Sequence, residues 1–207
     1  MPLRRTTMYS PPPQLWISAM ASRLTIIERR QPRSIISAGI FETAVELQIA
    51  MNLDTPADFS HSRKLAAQFF NDAWRCIEKP DRTPDEDLLM IHLAHASRLH
   101  WEFAGDASHW TIGEWQISRV YSVLKRSEPA LYHAHVSLRI ATENNLRPFL
   151  LGCAHEAIAR ALAITVDRSV DEHIARARGF ACQVADAEEK AILERDLSTI
   201  PNPTCHE

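Results

Sequence analysis

A chain of 207 residues has room for one domain of ordinary size, or for a domain and a tail. It is 45% hydrophobic and 24% charged with a net charge of −3, which argues against a strongly basic nucleic-acid binder. No run approaches the ~18 consecutive apolar residues of a membrane span.

Only five glycines stand beside plentiful Ala, Leu, Glu and Arg, side chains that lose little rotamer freedom in a helix. The one β-branched cluster, Thr25-Ile26-Ile27, has no partner run with clean alternation, so the expected fold class is all-α. Cys76, Cys153, Cys182 and Cys205 lie far apart with no C-x-x-C pair. That spacing suits reduced thiols and an intracellular setting better than a disulfide framework. The first 40 residues hold six arginines against Glu28, net +5, leaving −8 on the remainder.

The leader, residues 1–57, opens with Pro11-Pro12-Pro13, which favours extended backbone. Leu15 to Ile27 reads as a short amphipathic helix, and Arg29, Arg30 and Arg33 follow. Three readings compete: a disordered leader, an acid-poor organelle-targeting segment, or non-native coding sequence ahead of a later start. Phe41–Met51 has helical periodicity, and the turn-rich Asn52 to Pro56 predicts a break and a domain boundary.

Helices are then expected in close succession over 58–201. The first, about Ser62 to Glu78, carries a core stripe at Leu65, Phe69, Ala73 and Ile77, widened by Ala66, Phe70 and Trp74. Thr83-Pro84-Asp85-Glu86 is a capping box with proline at the first helical position. The helix it starts is expected to bury Leu88, His92, Ala96, Leu99 and Phe103 and to end at Gly105-Asp106. A third, about Ile112 to Lys125, packs through Ile117, Val120, Tyr121 and Leu124; a fourth, about Glu128 to Glu143, through Ala130, Leu131, Ala134, Leu138 and Ala141. The fifth, from Pro148, buries Leu151, Ala154, Ile158 and Leu162. Ser169–Glu172 reads as a capping box for a sixth, and Asp186 with Glu189 as another for a short seventh, before the tail at 202–207. Short links between long helices predict αα-hairpins stacked in sequence.

Tetratricopeptide repeats recur about every 34 residues as helix pairs. Tyr121 and Ala130 match the motif's tyrosine and the small residue nine positions later. One repeat beyond Tyr121 stands His155, with Gly152 three before it. Lys125 and Ser118, however, occupy positions where the motif has glycines. The segments KPDRTPDEDLLMIHLAHASRLHW, GEWQISRVYSVLKRSEPALYHA, HEAIARALA and ILERDLSTIP resemble a family of small, mostly bacterial, uncharacterised proteins with a tetratricopeptide-like (TPR-like) fold, over about Ser60 to Pro201. The resemblance implies a short α-solenoid in a soluble cytoplasmic protein. It implies no known reaction.

Candidate chemistry is sparse. His92 and His95 share one helical face, with His100 about 80° around from His92, and the three form the alternative reading of a metal-binding helical protein or enzyme. No H-E-x-x-H or cysteine pair completes such a site. Cys153 and His155 are two apart on a helix and cannot pair directly. No G-x-S-x-G turn or glycine-rich phosphate loop is present, so no catalytic residue is assigned and no cofactor is expected.

The leading reading is a protein or peptide interaction module, able to pair with itself as a homodimer. Its groove would be lined by Trp101, Trp110, Glu114, Trp115, Gln116 and Arg119, residue types that dominate interface energetics. The competing reading packs Trp115 between hairpins, pairs Arg119 with Glu114 or Glu156, and leaves Glu156 and Arg160 as a helix-surface pair.

Overall fold

The computed structural model describes residues 56–201, through which run seven helices and no strand: α1 (Pro56–Glu78), α2 (Pro84–Ala104), α3 (Ala107–Val123), α4 (Ser127–Glu143), α5 (Pro148–Ala163), α6 (Val170–Ala181) and α7 (Ala187–Ser198). The leader at 1–55, including Phe41–Met51, and the tail at 202–207 lie outside the described residues.

Side chains that satisfy orphan N–H groups set three of the helix starts, those of α2, α3 and α7. The Thr83 hydroxyl accepts from the Glu86 N–H at 3.3 Å, and the Glu86 carboxylate accepts from the Thr83 N–H at 2.9 Å. Two starts come earlier than the periodicity suggests. Pro56 occupies the first position of α1, where its missing N–H costs nothing, so a residue expected to break the chain begins a helix instead. At α3, the Asp106 carboxylate accepts from the N–H groups of Ser108 at 2.9 Å and His109 at 3.2 Å. His109 Nδ1 reaches back to the Asp106 N–H at 3.2 Å, filling the place that Glu takes in the familiar box, so α3 begins at Ala107 rather than Ile112. Ser169, expected to cap α6, makes no side-chain cap bond; its hydroxyl turns to Asp167. Asp186 does cap α7, but Glu189 pairs with Arg147 instead of closing the box.

Three helices end alike and without glycine. Lys125, Asn145 and Val166 adopt φ of 59°, 49° and 56°, and the next N–H in each case bonds back to Tyr121, Ala141 or Leu162. This is the left-handed closure that usually selects glycine.

Consecutive helices pack on one another; α3 also meets α1 and α5, and α7 returns to α5 and α6. Helix α5 sits at the centre. From Phe149 to Ala161 all of its side chains but the half-buried Leu151 are buried, as for a helix with neighbours on every side. Of the expected stripe, Ala154 and Ile158 are fully buried, and Leu151 and Leu162 are half-buried.

Helix α2 departs furthest from expectation. It buries Met90, Ala94 and Ser97, the last donating to the Ala66 carbonyl at 2.9 Å. Of the predicted buried stripe, Leu88, His92, Leu99 and Phe103 are exposed. Two apolar stripes run along this helix, and α1 takes the one built around small residues because Ala94 and Ser97 permit close approach.

A β-branched residue in the left-handed region costs about 1–2 kcal/mol. Val166→Gly should therefore stabilise the protein by about 1 kcal/mol in urea titration, the side chain being exposed and contributing little packing.

Candidate functional site

The six residues expected to line a groove divide into two groups. Trp115, Gln116 and Arg119 lie inside the protein. Trp115 packs on Trp74, ring centroids 5.7 Å apart, and Gln116 Nε2 donates to the Phe70 carbonyl at 2.9 Å. Arg119 ends in a buried charge cluster built by α3, α5 and α7. Its Nη2 lies 3.3 Å from Glu156 Oε1 and 3.0 Å from Asp196 Oδ2. Arg160 Nε donates to Glu156 at 2.7 Å, while its Nη2 reaches the Asp196 carbonyl and the Thr199 hydroxyl. Trp115 Nε1 donates to Glu156 Oε2 at 3.0 Å. Glu156 and Arg160 are thus no surface pair: they are 1% and 8% exposed, and Arg119 pairs with Glu156 rather than Glu114.

Two arginines and two carboxylates balance formally, and burial makes that balance necessary. Burial opposes the charge on Glu156, but Arg119 and Arg160 outweigh it and hold the carboxyl below its usual range. Burial likewise works against Arg119, which Glu156 and Asp196 keep raised. Asp196 is pushed up by burial despite Arg119, and burial together with Arg119 draws Arg160 down. The Cys153 thiol beside them is raised well above its ordinary value by burial and by Glu156, which makes it a poor nucleophile.

Glu114, also buried, joins the half-buried Trp101 and Trp110 in the α2–α3–α4 seam. Arg98 Nε donates to Glu114 at 3.0 Å, and His133 Nδ1 meets its other oxygen at 2.7 Å. His133 stacks on Tyr121 at 5.8 Å and 13°, and the Tyr121 hydroxyl is 3.2 Å from His95 Nε2. Trp110 Nε1 donates to the Trp101 carbonyl, and the guanidinium groups of Arg63 and Arg98 cover the two indoles. The histidines of the metal alternative diverge. His92 faces solvent, His95 turns to Tyr121, and His100 lies against Phe69 at 5.7 Å. Among the described residues, no group of three or more His, Cys, Asp or Glu side chains is arranged to hold a metal ion.

His155 lies on α5, 34 residues after Tyr121. It stacks on Phe180 of α6 at 5.7 Å and 14°, much as Tyr121 stacks on His133 of α4. Its Nδ1 lies 3.1 Å from His173 Nδ1, so one ring donates and the other accepts. Burial, reinforced by His173 and Arg176, lowers the His155 pKa to about 4; burial and Arg176 also lower that of His173. His155 opens into a cleft of about 450 Å³ between α4, α5 and α6. Its floor is apolar, with Leu138, Leu151 and Phe180, and Asn145 and Arg176 stand at the rim. Sequence reasoning missed this cleft. The 34-residue step to His155 was the available signal, but the α6 partners follow a longer linker and fall out of register.

A scan against protein-family models gave no match, and neither the curated proteins nor the solved structures contain a chain detectably similar to this one.

Removing one partner from a buried ion cluster strands the others. Arg119→Ala should cost about 3–5 kcal/mol in chemical denaturation, with Glu156→Gln comparable. A histidine whose folded pKa is depressed stays neutral in the native state while the unfolded chain takes up the proton. Stability should therefore fall as pH drops from about 6.5 toward 4, the pKa values of His155, His173 and His95 all being lowered. Thermal melts across that range should show a shallower slope for His155→Gln.

Proposed function

We propose that this chain is a TPR-like interaction module, a short stack of αα-hairpins that binds an extended peptide segment in the α4–α5–α6 cleft. Support for the repeat reading comes from the packing order, since each successive pair α1–α2, α3–α4 and α5–α6 is intimate and α3 meets both α1 and α5. The stacked ring pairs at Tyr121 and His155 support it independently. The free thiols of Cys76, Cys153 and Cys182 suit a reducing, cytoplasmic compartment.

The cleft is the observation that carries the binding reading. Its volume of about 450 Å³ falls within the range of specific binding sites, with an apolar floor to take a side chain and few polar groups to orient it. Arg176 at the rim is exposed and, among the described residues, pairs with Glu172 across one helical turn, at 2.6 Å. Such a pair contributes a few tenths of a kcal/mol and exchanges readily for an incoming carboxylate. The fitting segment carries a large apolar residue beside an aspartate or glutamate. This places recognition away from Trp115 and Arg119, whose side chains are held by the interior.

Selection from a random peptide library on the full-length protein tests the reading. Enriched peptides should share an apolar residue within about three positions of an acid. Their affinity, read by fluorescence anisotropy, should fall about tenfold with Arg176→Glu, equal to about 1.4 kcal/mol. Arg176 is on the surface, so folding is spared; equal enrichment on wild type and variant would refute the cleft.

A further inference from the structure

The outer stripe of α2 has the periodicity of a packed face and no helix against it among the described residues. Leu88, Leu89, Leu99 and Phe103 are 54%, 50%, 58% and 36% exposed. Four large apolar side chains on one helix are more than the scattered exposure usual on a protein surface. From these observations, which are independent of the peptide cleft, we propose that this face is a homodimer interface in which two α2 helices pack antiparallel about a twofold axis near residues 95–96.

The spacing supplies the first argument. A twofold at that point sets Leu88 opposite Phe103 of the second copy, His92 opposite Leu99, and Ala96 at the crossing. Large residues flank a small one, the pattern that lets two helices approach to about 8–10 Å. The same patch meets itself, as a closed isologous contact requires.

Charge supplies the second and fixes direction. Asp85, Glu86 and Asp87 occupy the first turn of α2, so antiparallel pairing keeps the acidic ends of the two copies apart. A parallel pairing would set the two acidic ends together.

Area sets the strength. With about half of each large side chain to cover, the four residues offer roughly 400 Å² per copy. With His92, Ala96 and the flanking charges, the total for two copies comes to about 1,000 Å², the lower limit for a specific interface. The dimer is therefore weak, with a dissociation constant in the micromolar range.

Sedimentation velocity of the full-length chain from about 1 to 100 μM provides the test. The wild type should shift from monomer toward dimer across this range. Leu99→Glu should remain monomeric with an unchanged melting temperature, since the side chain is exposed. A wild type that stays monomeric at 100 μM, or a dimer indifferent to Leu99→Glu, overturns the interface.

Discussion

The charge cluster at the junction of α3, α5 and α7 is the constraint on which the remaining architecture depends. Glu156 accepts from Trp115, Arg119 and Arg160 at once, and Asp196 holds Arg119 from the opposite side. Ions sealed from water are tolerated only where every partner is present, so three helices far apart in sequence must meet in one register. An apolar seam could slide by a fraction of a turn at modest cost. This one cannot, because a shift of α7 would remove both the Asp196 carboxylate and the Asp196 carbonyl that Arg160 requires.

Helix α5 supplies two of the four charges and is the most enclosed element, and these properties have a common origin. A helix with neighbours on every side has no polar face to turn to water, so its charged residues need complements from those neighbours. Small residues make such enclosure possible: Gly152 lies so close to α7 that an added Cβ would stand 2.5 Å from the Leu193 side chain. Between α4 and α6 the same helix lends the half-buried Leu151 and the largely buried His155 to the lining of the cleft.

The outer helices follow a different logic. Helix α2 has two apolar stripes, and only the one compatible with close approach is used by α1; the bulkier stripe remains outside. The α2–α3–α4 seam is polar and fully engaged, from Arg98 through Glu114 and His133 to Tyr121 and His95, and it joins consecutive helices much as the buried cluster joins distant ones.

By itself the sequence determined the local features: helical class, the capping box at Thr83, and the core face of α1, where Ala73 and Ile77 of the expected stripe and Ala66, Phe70 and Trp74 beside it are buried, while Leu65 and Phe69 are half-buried. These depend on contacts within one turn or on a single unambiguous apolar stripe, so spacing suffices. The histidine at the third position of α3 was equally local but did not belong to the familiar capping alphabet. Tertiary structure decided which stripe of α2 is buried, because periodicity finds an apolar face without saying which neighbour fits it. It decided that Glu156 and Arg160 lie in the core, because an i,i+4 pair looks the same on a wet helix as on a buried one until Arg119 and Asp196 arrive from 37 and 36 residues away. It also decided the cleft at His155, whose walls come from three helices and whose chemistry no single segment contains.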